Sequence, residues 1–335
     1  MTAGVPAVTR FWSQSHRGLE APDDYHRGCI VIEATLYTDA ACPWGYSALP
    51  SFRVLEWRYG AELDWRLVMI GLRDDASGIQ ARFDPARSAM RHATFRRRYG
   101  MPFAASPKER AAATGRGCRA VVAARLLEPG SEWRVLRALQ LANFTTPLLL
   151  DDDELIRVAL RTVPGLDADA IVDRLNDSEV EQAYEQDRAE ARTAAGTPAE
   201  TQGKTSTSDG PVRFTAPSLV FERDGRRLVA GGWQPVLAYD VLIANLDPQI
   251  ARTTPPETPE PLLERFPDGL TTAEVAALLA EGPDYWIDLD AAEAALLRLV
   301  GDGIAVRLPL GQDALWRRAT PAEVTRELGS AAAVA

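Results

Sequence analysis

The sequence predicts an α/β protein in which a small sheet is interrupted by a long helical insertion and followed by a compact helix–helix–hairpin unit. Three observations carry this. A β-α-β pattern fills residues 29–69, the signal turns almost wholly helical from Asp84 to Arg192, and strand character returns only at Ser218. Cys29 to Tyr37 (CIVIEATLY) reads as a buried strand, rich in β-branched and apolar side chains. Tyr46 to Tyr59 reads as a helix with Leu49, Phe52, Leu55 and Tyr59 on one face. Pro50 falls in its first turns, where a kink is expected. Leu63 to Met69 alternates as a second strand, so the pair is expected to run parallel with a crossover helix.

Within the insertion, Leu136, Leu139 and Phe144 mark one amphipathic segment, and Leu155, Val158 and Leu160 another. Glu179 to Arg192 is strongly charged with few apolar positions. Thr193 to Gly210 is polar and rich in Thr, Ser, Gly and Ala, which predicts a mobile loop leading back into the sheet. Ser218–Arg223 and Arg227–Ala230, joined by Asp224-Gly225, read as a hairpin, and Pro235–Leu246 as a helix. Ile250 to Pro261 is a Pro-rich, semi-rigid spacer. The resulting partition is an N-terminal extension over 1–28, a sheet domain from 29–83 and 211–248, and an inserted helical domain over 84–192. A flexible loop over 193–210, a Pro-rich linker over 249–265 and a C-terminal unit over 266–320 complete it.

Composition narrows the function classes. Hydrophobic residues make up 46% and charged residues 25%, as in an ordinary globular chain, and the formal net charge is −10. That sign argues against a general nucleic-acid or anionic-membrane binder. No run approaches the roughly 18 apolar residues that a membrane helix needs. The N-terminal residues lack the apolar core of a signal peptide, and Cys29, Cys42 and Cys118 make no disulfide framework, so a cytoplasmic setting is expected. His16, His26 and His92 show no metal-ligand spacing, and no metal site is expected.

In the C-terminal unit, Thr271–Leu279 and Asp288–Val300 read as helices, and Ile304–Leu308 with Ala314–Trp316 as a hairpin, an arrangement that resembles a winged helix. Nine acidic and four basic residues lie between Phe266 and Thr320, the wrong sign for a phosphate-binding surface. The unit is therefore expected to serve packing or protein contact, with a homodimer as one outcome.

The run Tyr37-Thr38-Asp39-Ala40-Ala41-Cys42-Pro43-Trp44-Gly45-Tyr46 carries the chemistry. A cysteine between a strand and a helix sits where free amides and the helix dipole stabilise a thiolate, so its pKa is expected to fall. Pro43 suits the first helical turn, having no N–H to waste there. Thiol–disulfide enzymes carry a second cysteine three residues on, and here that position is Gly45. Cys29 begins the strand that delivers Cys42, and about nine extended residues span roughly 30 Å, far beyond the reach of a disulfide. Cys118, with Val121 and Val122 at i+3 and i+4, reads as a core cysteine. The cations Arg82, Arg87, Arg91, Arg96, Arg97 and Arg98 stand out in an acidic chain. They suit either a solvated helix face or a local attraction for an anionic partner.

Cys42-Pro43-Trp44, the helical insertion and the later run Phe214-Thr215-Ala216-Pro217-Ser218-Leu219-Val220-Phe221 together resemble the DsbA-like thioredoxin-fold family. The resemblance is nearest to the branch of FrnE-type oxidoreductases, 2-hydroxychromene-2-carboxylate isomerases and cytosolic adaptor relatives, and it covers about Cys29 to Leu246. It implies a thioredoxin-like fold, Cys42 as the attacking thiol, and a cis-proline at Pro217 facing it. Pro43, Trp44, Gly45, Ala216 and Pro217 are implied as substrate-binding positions. Gly45 departs from the family pattern, so a mixed disulfide would not be resolved within the site.

Two functions follow from this reading. One is a single-cysteine thiol–disulfide oxidoreductase or thiol-dependent isomerase acting through Cys42. It would hold no tightly bound cofactor and would use a low-molecular-weight thiol, with a small thiol or a protein disulfide as substrate. The other is a non-catalytic adaptor whose groove holds a protein client.

Overall fold

The structure is a computed structural model and describes residues 31–208, 210–281 and 287–323. Strand β1 (Ile32–Thr38) leads into α1 (Pro43–Ser47) and α2 (Leu49–Tyr59), and β2 (Leu63–Met69) follows. The helical stretch comprises α3 (Ser77–Gln80), α4 (Pro85–Tyr99), α5 (Gly115–Leu127), α6 (Glu132–Thr145), α7 (Asp153–Leu160), α8 (Ala168–Asp173) and α9 (Ser178–Ala191). Next come α10 (Pro198–Thr201), β3 (Thr205–Ser206), β4 (Arg213–Phe214), β5 (Ser218–Arg223), β6 (Arg226–Ala230) and α11 (Val236–Leu246). The chain continues through α12 (Glu260–Arg265), β7 (Leu270–Thr271), α13 (Thr272–Leu279), α14 (Leu289–Gly301), β8 (Ala305–Leu310) and β9 (Asp313–Arg318).

The main sheet has the order β2-β1-β5-β6, with β1 parallel to β2 and antiparallel to β5. Leu36 stands between Leu67 and Leu219, and the β-branched and apolar content of β1 suits its central place, where Ala34 through Thr38 are all buried. The helix expected over Tyr46–Tyr59 begins earlier, at Pro43, and is broken at Ala48. Pro50, at the start of α2, has no N–H to carry the ladder across that junction. The charged helix α9 buries Val180, Tyr184, Asp187 and Ala191, a single stripe sufficient to dock it. Asp187 accepts the Met69 N–H at 3.0 Å and pairs with Arg125 at 2.9 Å, closing the open side of β2.

Two segments differ from expectation. Thr193–Gly210, expected as a mobile loop, carries α10 and β3, and β3 pairs with β4. Ala194 and Ala199 are buried, and the Ala194 N–H donates to the Val212 carbonyl at 3.2 Å. Alanines small enough to pack under a polar surface account for the order. The Pro-rich linker is tied down: the Thr253 N–H donates to the Arg58 carbonyl at 2.7 Å, and Trp57 Nε1 to the Thr254 carbonyl at 2.8 Å. Its last residues form α12, with Leu262 and Leu263 buried.

Beyond the linker, β8 pairs with β9, and β7 adds a third strand on the other side of β9. Helix α13 packs on α2. Its N-terminus is closed by a capping box between Thr271 and Glu274. Glu274 is fully buried and receives both arms of the Arg137 guanidinium from α6, one at 2.8 Å, while Arg53 of α2 lies at 3.5 Å. The Trp316 indole N–H donates to Thr272 Oγ1 at 2.9 Å in the same interior. At the β8–β9 turn, Gly311 has φ +58°, and a Cβ there would stand 2.9 Å from the Phe103 carbonyl oxygen. Only glycine lets the turn lie this close to the 101–103 backbone.

Candidate functional site

Cys42 ends the turn after β1. Its N–H donates to the Asp39 carbonyl at 3.2 Å, its backbone is extended, and Pro43 opens α1 behind it. The thiol donates to the Ala216 carbonyl at 3.3 Å, and the Ala216–Pro217 peptide is cis. Folding thus brings Cys42, Gly45, Ala216 and Pro217 together, and all four are buried, Cys42 to 4% exposure.

This enclosure decides the protonation state. Burial pushes the Cys42 thiol up to about 12; the N–H groups of Gly45 and Trp44 and the Arg213 guanidinium pull the other way, while the Asp39 carboxylate adds to the rise. The lowered pKa expected of a helix N-terminus is therefore not realised. Helix α1 is five residues long, and what its amides contribute is outweighed by removal of the sulfur from water.

Gly45 has a steric reason. A Cβ at this position would lie 2.7 Å from Thr38 Oγ1 and 3.7 Å from the Cys42 Cβ. The second distance suits a disulfide, whose Cβ atoms are about 3.5–4.5 Å apart. The first means that the Thr38 hydroxyl, which occupies the place where a resolving cysteine would stand, must shift before any side chain fits there.

Sequence reasoning missed Asp39. Fully buried, it accepts the Ala41 N–H at 2.8 Å, the Leu72 N–H at 2.8 Å and the Thr114 hydroxyl at 2.9 Å. The Cys118 thiol, also fully buried, lies 3.4 Å from the same carboxylate and is pushed well above its ordinary value, by burial first and then by Asp39. An acid closing an apolar strand three residues before Cys42 was the available signal. Cys42 and Cys118 are both free, and Cys29 lies outside the described residues.

Trp44 turns away from the sulfur. It is 41% exposed and stands edge-on to Phe95 at 4.9 Å and Tyr99 at 5.6 Å, both on α4. With Pro43 it borders a cleft of about 730 Å³, floored by Ile79, Phe83, Phe95 and Phe144. Cys42, Ala216 and Pro217 do not line this cleft; Arg82, Arg87 and Arg91 do, whereas Arg96, Arg97 and Arg98 do not. His92, also on its wall, is pushed down to about 4 by burial, with Lys108 and Arg91 adding to the fall, so it is neutral at pH 7. Among the described residues no group of three or more His, Cys, Asp or Glu is placed to hold a metal, and no helix is long and apolar enough to cross a membrane.

Cys42 thus stands at the N-terminus of α1, opposite the cis Ala216–Pro217 peptide, with helices inserted between the strands of the sheet. The family model described as DSBA-like thioredoxin domain matches residues 34–214, more than half of the 335-residue chain. The chain belongs to this family. Among solved structures it is similar to a putative protein disulfide isomerase from Nitrosomonas europaea, at 17% identity and a TM-score of 0.49, over 64% of this chain and 97% of that one. It is similar to a probable DsbA oxidoreductase from Streptomyces coelicolor, at 17% identity and a TM-score of 0.49, over 65% of this chain and 91% of that one. A third is the cytosolic disulfide reductase DsbM from Pseudomonas aeruginosa, at 18% identity and a TM-score of 0.42, over 59% and 88%. No protein of curated function matches the chain.

Proposed function

We propose that this member of a thiol–disulfide oxidoreductase family is a non-catalytic binding protein of adaptor type, with its ligand face beside the motif cysteine rather than on it. One observation carries the reading. Cys42 is enclosed, and burial pushes its thiol up to about 12, so the neutral thiol is its resting form at pH 7. Without a thiolate there is no nucleophile for disulfide exchange, and Thr38 fills the space a resolving cysteine would need. The accessible surface is the cleft bordered by Pro43 and Trp44. The C-terminal unit, read as winged-helix-like and acidic, contributes packing, and the working compartment is the cytoplasm.

A second reading, exchange through a single thiol, is favoured by the Trp44 and Gly45 amides, which lower the Cys42 pKa and would receive a thiolate once formed. A low-molecular-weight thiol would then complete turnover. The pH dependence of Cys42 alkylation by iodoacetamide, followed on the Cys42 peptide by mass spectrometry, separates the two. The binding-protein reading expects negligible labelling of the folded chain below pH 9 and full labelling in denaturant. Rapid labelling at pH 7 with an apparent pKa below about 8.5 would overturn it in favour of the single-thiol enzyme.

A further inference from the structure

The cleft beside Trp44 is cationic in a chain whose net charge is −10. Its cations come from separate parts of the sequence: Arg73 after β2, Arg82 before α4, Arg87 and Arg91 on α4, Lys108 and Arg110 before α5, and Arg213 on β4. Folding has gathered like charges that would repel one another. The acids nearby leave part of the set uncompensated. Asp84 caps α4 through the Arg87 N–H, and Asp151 is engaged in a two-armed pair with Arg110 at 2.7 and 2.9 Å. Among the described residues no carboxylate pairs with Arg73, Arg82, Arg87 or Arg91, although Arg116, Arg119, Arg125, Arg134 and Arg137 each have one.

Spacing adds a second argument. Arg87 and Arg91 are one helical turn apart, about 6 Å along α4. Alternate side chains of an extended strand recur every 6.6 Å or so. Acidic residues at positions i and i+2 of an extended segment therefore match the two guanidinium groups, each able to grip a carboxylate with two hydrogen bonds. Ile79, Phe83, Phe95 and Phe144 offer the segment an apolar floor.

We infer that the cleft docks an acidic, extended protein segment carrying alternate Asp or Glu residues around an apolar one. This rests on the reading of the chain as a binding protein and names its partner chemistry. The net charge of −10 disfavours such a segment over most of the remaining surface.

The test uses the full chain and fluorescence polarisation of a labelled peptide, Glu-Ala-Glu-Phe-Glu-Ala-Glu, against its all-Gln counterpart, with citrate as a small-anion competitor. The Glu peptide is expected to bind at least tenfold tighter than the Gln peptide at low ionic strength, and to weaken steeply with salt. Arg87→Ala with Arg91→Ala should weaken it at least tenfold; Arg97→Ala with Arg98→Ala, on the same helix outside the cleft, should not. Equal binding of the two peptides, or equal loss in the two double variants, would overturn the inference. So would citrate binding to the cleft without peptide binding, which would make it a small-anion site. Cys42→Ser should leave peptide affinity unchanged, so a failure here is independent of what alkylation says about the thiol.

Discussion

Two buried acidic groups in this chain meet opposite fates. Cys42, beside the cis-proline loop, is held as a neutral thiol; Glu274, in the seam between α13 and the helices α2 and α6, is held charged. Burial works against ionisation at both. At Glu274 it is outweighed by Arg137, by Arg53 and by the Thr271 N–H, which together hold the carboxyl below its ordinary range. At Cys42 two backbone amides and the Arg213 guanidinium do not suffice, and the Asp39 carboxylate opposes them. Burial alone thus says nothing about the charge of a group; what decides it is whether a full cation is placed at contact distance.

The comparison breaks most visibly at the seam. Arg137→Ala leaves Glu274 buried with Arg53, at 3.5 Å, as its remaining cation among the described residues, and a loss of about 3–5 kcal/mol is expected in urea unfolding. Because the folded pKa of Glu274 lies below its unfolded value, its stabilisation is complete above about pH 4.5 and fades as pH falls through the folded value. Glu274→Gln should remove that acid-dependent part of the unfolding curve, and an unchanged pH profile would show that the pair contributes none of it.

At the cysteine, Gly45→Ala drives a methyl group into the Thr38 hydroxyl, and a cost of about 1–3 kcal/mol follows from overpacking. Adding Thr38→Ala should recover most of the lost melting temperature; without recovery, the hydroxyl is not what reserves this position for glycine. The smallest effect is expected from Cys42→Ser. Its hydroxyl can still donate to the Ala216 carbonyl, so the change in unfolding free energy should stay within about 1 kcal/mol. A much larger loss would mean that the sulfur packs more tightly than its single hydrogen bond suggests.

How much of this was legible in the sequence varies by place. Strand β1 was readable because a central strand must be apolar on both faces, and the edge strand β2 from its alternation, with Leu63–Met69 coinciding with the expected span. The Cys42–Gly45 run lies, as expected, between β1 and the helix that follows it. Its protonation did not follow, since that depends on how completely Ala216, Pro217 and the Asp39 turn exclude water. Neither did the reason for Gly45, which lies in the register that sets Thr38 against α1. The arginine run between residues 82 and 98 was conspicuous, yet its division into cleft-lining and outward residues needed the position of α4. Arg73 and Arg213 joined the cleft only through tertiary structure. Thr193–Gly210 misled because polar composition conceals how few small apolar residues suffice to seat a segment.

The Gly311 turn has a consequence for how this architecture can be altered. It rests on the Phe103 backbone; Phe103 packs edge-on against Tyr46 at 5.3 Å, and the Tyr46 hydroxyl holds the Pro102 carbonyl at 2.8 Å. Tyr46 sits in α1, four residues beyond Cys42. The last hairpin therefore buttresses the wall against which the motif helix leans. The C-terminal unit is not a cassette to be shed or exchanged: a chain cut after α11 would strand Arg137, whose partners Glu274 and the Gly269 carbonyl lie beyond the cut, and would remove the turn that backs Phe103.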